Sequence, residues 1–198
     1  FLDAPFNLKS YKPGQPETET TYMGCRTRVM GNVCGEEVAS GRGNLSFTTI
    51  NLPRLGIKHG IVNGRSNANL DEFFEDLDEK IDLVIDQLLE RMQIQGNKKV
   101  KNFPFLMGQG IWQGSDKLSP EDTLQDVIKQ GTLTVGFIGL AECLIALTGQ
   151  HHGESEESQE LGLKIVSHMR KRMDEATEKY KLNFSLIATP AEGLSGRF

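Results

Sequence analysis

A cysteine set between a glycine and two arginines is the residue in this sequence best suited to chemistry. It lies in Tyr22-Met23-Gly24-Cys25-Arg26-Thr27-Arg28, which has no core periodicity, so Cys25 reads as a loop thiol. Positive charge from Arg26 and Arg28 would stabilise a thiolate there. A small, half-buried packing thiol is the plainer alternative for any unpaired cysteine. Gly41-Arg42-Gly43-Asn44 comes next. Its glycines let backbone approach a ligand closely, and Arg42 and Asn44 offer hydrogen bonds to phosphate or sugar. A mobile loop is the competing reading. A third candidate is Thr189-Pro190-Ala191-Glu192-Gly193-Leu194-Ser195-Gly196-Arg197. A glycine-rich turn after a strand can aim free amides at an anion. It fits neither the P-loop nor the dinucleotide fingerprint, and a tight structural turn explains it equally well.

Other polar residues read as structural. His151-His152-Gly153-Glu154 suggests metal ligands, but adjacent side chains in a turn diverge and no third ligand stands at a standard spacing. A polar turn with Ser155 as helix cap fits better. Glu142 lies in an apolar segment and must be paired or protonated if buried, which makes it a minor candidate. Cys143, Trp112, Met169 and Met173 read as core, and Lys98, Lys99 and Lys101 as a solvated turn.

The elements that must position these residues follow from periodicity. Residues 1–44 are rich in Gly, Pro, Thr and Arg and read as loop or extended chain. Residues 45–52 alternate like a strand that Pro53 closes. Asn69 caps a long helix, Glu72 completes a capping box, and Gly96 stops it. Ser119-Pro120-Glu121-Asp122 opens a shorter helix with Leu124, Val127 and Ile128 on its face, ended by Gly131. Residues 132–138 form a strand, 140–147 a buried helix, 155–180 an amphipathic helix and 182–189 a third strand. That order predicts crossover units feeding a parallel sheet or barrel covered by helices. Three strands cannot close a barrel, so sheet edges and an apolar face are expected to be uncovered.

Composition narrows the classes. The net charge of -5 argues against a general nucleic-acid binder. No apolar run approaches the roughly 20 residues that span a bilayer, so no membrane partner is expected. Three cysteines, Cys25, Cys34 and Cys143, make no disulfide framework and no CxxC pair, which suits a reducing cytoplasm. The absence of an initiator Met and the loop-like tail suggest a piece of a longer chain.

Several long strings resemble the large subunit of anaerobic (class III, glycyl-radical) ribonucleoside-triphosphate reductases, in that family's order. They are Tyr22-Met23-Gly24-Cys25-Arg26-Thr27, residues 41–54 (GRGNLSFTTINLPR), Gly139-Leu140-Ala141-Glu142-Cys143, Gly149-Gln150-His151-His152-Gly153, and residues 189–198 (TPAEGLSGRF). The resemblance covers nearly the whole chain. It implies an α/β fold that is part of a ten-stranded barrel, roughly a half-barrel with a finger loop. Residues 1–198 would then be one fragment of the catalytic barrel domain, with 1–44 the finger-loop region and 45–198 the strands and covering helices.

The resemblance also implies the chemistry. Cys25 would carry a thiyl radical generated by a glycyl radical outside this chain. The thiyl would abstract the 3′-hydrogen of the ribonucleotide, the 2′-hydroxyl would leave as water, and a reductant, formate in many members, would complete the reduction. Thr27, Asn44 and Asn51 would bind ribose or formate; Gly193, Ser195, Gly196 and Arg197 would hold the triphosphate. Implied partners are ribonucleoside triphosphates, allosteric dNTP and ATP, a radical-SAM iron-sulfur activase and, in full length, a second copy. The glycyl-radical loop, a four-cysteine zinc site, an ATP-cone and the family's second cysteine have no counterpart in this sequence, and Cys34 matches no family motif. The alternatives are another glycyl-radical enzyme, of the formate- or diol-lyase type, or an inactive binding or assembly fragment.

Overall fold

The structure is a computed structural model and describes residues 12–15, 18, 20–22 and 28–194. Strands β1 (Thr20–Tyr22) and β2 (Arg28–Met30) pair antiparallel, with Thr20 opposite Met30 and Tyr22 opposite Arg28. The connecting residues 23–27, with Cys25 at their centre in sequence, lie outside the described residues. Strands β3 (Asn44–Asn51), β4 (Thr132–Ile138) and β5 (Asn183–Ala188) form a parallel sheet in the order β3-β4-β5. Helices α1 (Leu52–His59), α2 (Leu70–Gly96) and α3 (Gln125–Ile128) separate β3 from β4. Helices α4 (Leu140–Thr148) and α5 (Glu156–Tyr180) separate β4 from β5. Neighbouring parallel strands joined through helices are the crossover arrangement that the element order predicts.

The two long helices start where their caps stand. Asn69 Oδ1 accepts from the Glu72 backbone N at 3.2 Å, and Ser155 Oγ accepts from the Ser158 N at 3.2 Å. α2 ends at Gly96, as expected. The sequence expectation missed α1. Pro53 closes the strand but also begins a helix: Asn51 caps it by accepting from the Arg54 N at 3.1 Å, and proline is tolerated in a first turn. The helix expected to open at Ser119 is shorter than its signal. Ser119 and Asp122 close a turn instead, and residues 120–123 bond the backbone of residues 98–101, which removes them from a helix. Lys99 and Lys101 are not merely solvated, since both reach the Glu121 carboxylate at 2.6 Å. The pair is exposed and adds little stability.

The chain forms two compact units, one of residues 1–47, 87–134 and 176–185, the other of 48–86, 135–175 and 186–198. The first has a core of Val100, Met107, Trp112, Leu124, Val127 and Ile128, and the Trp112 indole donates to the Val127 carbonyl at 2.8 Å. In the second, α1 packs on α4 through two glycines. A Cβ on Gly56 would stand 2.7 Å from the Cys143 carbonyl oxygen, and one on Gly60 would stand 2.0 Å from that of Ala146. Burial pushes the Cys143 thiol up to about 12, the mark of an inert core cysteine.

Candidate functional site

Crossover sheets bind ligands beyond the carboxyl ends of their strands. In the second unit those ends bring together Asn51 of β3, Gly136 of β4 and Thr189, which extends β5: its backbone N donates to the Phe137 carbonyl at 2.9 Å. The Thr49 and Thr189 hydroxyls lie 2.9 Å apart. They meet over Gly136, where a Cβ would stand 2.1 Å from the Thr189 Oγ1 and 2.9 Å from the Thr49 Oγ1. Gly136 is buried, whereas both threonines are half-buried. A glycine between valine and phenylalanine in a central strand is costly unless something approaches closely. Here two side chains do.

Thr49 and Asn51 also line a cavity of about 410 Å³ with Arg54, Lys58, Asp76 and Lys80. The position of α1, and so of its cap Asn51, is fixed at the far end by Asp76 of α2. This buried carboxylate accepts from the Lys58 Nζ at 2.6 Å and the His59 Nε2 at 3.0 Å, with the Lys80 Nζ also at 3.0 Å. The His59 and Lys58 hydrogen bonds hold its pKa well below the usual carboxylate range. A depressed folded-state pKa stabilises the fold above the unfolded value of about 4, and that stabilisation fades as pH falls toward the folded value. Asp76→Asn is therefore expected to cost about 2 kcal/mol at pH 7, the scale of hydrogen bonds to a charged group. Urea unfolding checks this: the gap between wild type and variant should narrow as pH drops below about 4, and a pH-independent gap contradicts it.

The other residues singled out in the sequence fall as follows. Asn44 is half-buried at the start of β3, and its Oδ1 accepts from the Thr132 and Thr134 hydroxyls at 3.2 Å each, while Thr134 meets the Ser185 hydroxyl at 2.8 Å. Arg42 is turned into the fold rather than offered as a ligand arm. It is 4% exposed and donates to the carbonyls of Gln130 (2.7 Å), Val38 (3.1 Å) and Gly31. Cys34 Sγ lies 3.2 Å from the Lys181 carbonyl, and burial raises its pKa. Gly193 sits exposed in a turn closed by the Leu194 N and the Ala191 carbonyl, with no atom of the described residues within 4 Å of a Cβ built there. His151 accepts through Nδ1 from the Gly153 N, and its own N donates to Glu154, as a polar turn requires. No group of metal-ligating side chains occurs among the described residues. No helix among them is long and apolar enough to cross a membrane. Glu142 is half-buried, while Cys143 and Trp112 are core. Cys25, Thr27, Ser195, Gly196 and Arg197 lie outside the described residues.

Sequence reasoning missed Thr49, Thr189 and Gly136. The one available signal was the glycine inside the strand Thr-Leu-Thr-Val-Gly-Phe-Ile, since a lone glycine in a strand marks a bulge or a close approach.

Parallel crossover strands joined through helices define an α/β protein, and the hydroxyl and amide groups at their carboxyl ends are its candidate ligand site. The family model described as anaerobic ribonucleoside-triphosphate reductase matches residues 1–198, and the chain belongs to that family. The anaerobic ribonucleoside-triphosphate reductases of Salmonella typhimurium and Escherichia coli are each 32% identical to it, over 183 and 185 residues, covering 90% of this chain. That of Enterobacteria phage T4 is 30% identical over 180 residues. The chain spans about a quarter of the length of these relatives: 24% of the two bacterial proteins and 27% of the phage protein. Among solved structures, the Thermotoga maritima anaerobic ribonucleotide reductase with citrate in the active site matches at a TM-score of 0.54 and 16% identity. That match covers 77% of this chain and 25% of that one, and it supports the fold alone.

Proposed function

We propose that this chain is the part of an anaerobic ribonucleoside-triphosphate reductase that supplies the radical cysteine, Cys25, and one wall of the substrate pocket. The observation that carries the reading is the family match over residues 1–198, which includes the string Met23-Gly24-Cys25-Arg26-Thr27. β1 and β2 support it as a two-stranded arm whose connection is centred on Cys25, which suits a finger loop. The sheet β3-β4-β5 with its helices is then one part of a ten-stranded barrel.

A glycyl radical from outside this chain supplies the oxidising equivalent when the enzyme is active. Cys25 would hold it as a thiyl and take the 3′-hydrogen of the substrate. The 2′-hydroxyl would be protonated and leave as water. A two-electron reductant such as formate, leaving as carbon dioxide, would reduce the sugar, and the Cys25 thiol would return the hydrogen to C3′, restoring the thiyl. Sulfur suits this step because an S–H bond is close in strength to a ribose C–H bond, so transfer is reversible once the loop holds the atoms in reach. Asn51 and Thr27 bind the ribose or formate. Asn44 and Asn51 each offer the amide nitrogen, since the Oδ1 of Asn44 already accepts from Thr132 and Thr134 and that of Asn51 caps α1. In the whole protein, a zinc site, a radical-SAM activase, dNTP and ATP effectors and a second copy complete the assembly in the cytoplasm.

Gly193, Ser195, Gly196 and Arg197 hold the triphosphate. The open space around Gly193 suits an approaching anion, Ser195 adds a donor, and Arg197 adds a charge-assisted contact. The full-length protein, activated without oxygen, is expected to reduce ribonucleoside triphosphates. Ser195→Ala and Arg197→Ala should each raise KM for the triphosphate about tenfold, with less effect on a substrate lacking phosphates. Equal losses on both substrates would make the loop structural, and absence of any reduction by the activated wild type would overturn the function.

A further inference from the structure

We infer that the Thr49–Thr189 hydroxyl pair, seated over Gly136, is the contact that recognises the ribose hydroxyls of the nucleotide. This rests on the reading of the chain as part of a nucleotide reductase. β3 and β5 flank β4, and adjacent strands stand about 4.8 Å apart, so their backbones are separated by roughly twice that. Two threonine hydroxyls 2.9 Å apart must therefore reach toward each other across the middle strand. They do so only because Gly136 has no side chain: a Cβ there would stand 2.1 Å from the Thr189 Oγ1. The other residues of β4 are threonine, leucine, valine, phenylalanine and isoleucine, so the gap is local.

The pair has an unusual hydrogen-bonding character. Each hydroxyl has one donor and two acceptor positions, and the bond between them uses one of each. One O–H and several lone pairs remain, a donor and acceptors side by side. A sugar hydroxyl needs both, whereas a phosphate or carboxylate needs donors alone and is better met by N–H groups and cations. Both threonines are half-buried, and Thr49 lines the cavity. Thr49 shares its cavity with Asn51, whose Oδ1 is held by the α1 cap and whose amide nitrogen remains to donate. The competing role is a strut between β3 and β5, which would affect stability and not ligand choice.

The test uses the unactivated full-length enzyme and equilibrium binding of a ribonucleoside triphosphate and its 2′,3′-dideoxy analogue. Wild type is expected to bind the ribonucleotide at least about fivefold more tightly, one net hydrogen bond's worth. Thr49→Val and Thr189→Val should each weaken ribonucleotide binding about fivefold and leave the dideoxy analogue unchanged. Thr49→Ser and Thr189→Ser should restore it. Equal weakening for both nucleotides, or unchanged ribonucleotide binding, overturns the assignment. Should the valine variants fail to fold, the wild-type comparison decides, and equal affinity for the two nucleotides overturns it. A wild type that binds neither nucleotide sinks the underlying reductase reading, and the contact with it.

Discussion

Gly60→Ala is expected to lower the melting temperature by about 10 °C, the result of roughly 3 kcal/mol or more of overpacking. Gly60 has φ -95° and ψ -177°, an extended backbone that any residue adopts, so conformation does not explain the glycine. Space does. A Cβ would stand 2.0 Å from the Ala146 carbonyl oxygen and 2.4 Å from that of Gly56. Both are backbone atoms, and no rotamer change can relieve the clash. Gly56, one turn earlier, is constrained the same way by Cys143. The two glycines bring the backbones of α1 and α4 together, so the variant must push the helices apart. Since α1 is capped by Asn51 and anchored by Asp76, its displacement should also lower turnover in the full-length enzyme. Gly193→Ala is the control: its Cβ would meet none of the described residues within 4 Å, and stability should change by no more than about 0.5 kcal/mol. Calorimetry on the two variants checks the pair, and similar melting temperatures would contradict this packing account.

The long elements were legible because their signals are local. Asn69 with Glu72, and Ser155, mark helix starts, and the apolar faces of α2 and α5 recur at helical spacing. β4 could be read to the residue from its β-formers. α1 escaped because Pro53 satisfies two rules at once, ending a strand and opening a helix, and only the Asn51 cap tells them apart. The start of α3 was misplaced because residues 120–123 bond a distant backbone segment, a pairing no local pattern encodes. The site divides the same way. Asn51 stood out through a family string, and the glycine-rich tail through its residue types as well. The Thr49–Thr189 pair did not, because it exists only in the register of three strands. Arg42 looked like a ligand arm because sequence shows its charge but not its burial beneath the carbonyls of Gly31, Val38 and Gln130.

The reading as a whole depends on one atom, the sulfur of Cys25. Serine preserves the size and hydrogen bonding of cysteine, but its O–H bond is much stronger than a ribose C–H bond. A radical cannot be passed to that oxygen and back, so Cys25→Ser removes the chemistry with minimal change in shape. On the proposed reading, activation is a separate event at a glycyl residue outside this chain, and it should proceed normally. The decisive measurement is a paired one on full-length Cys25→Ser enzyme after anaerobic activation: glycyl-radical content by electron paramagnetic resonance, and deoxynucleotide formed. The account predicts a wild-type radical signal with turnover reduced about 10⁴-fold or more, the scale on which enzymes lose activity when the reacting side chain is removed. Turnover within about tenfold of wild type, at equal radical content, would contradict it.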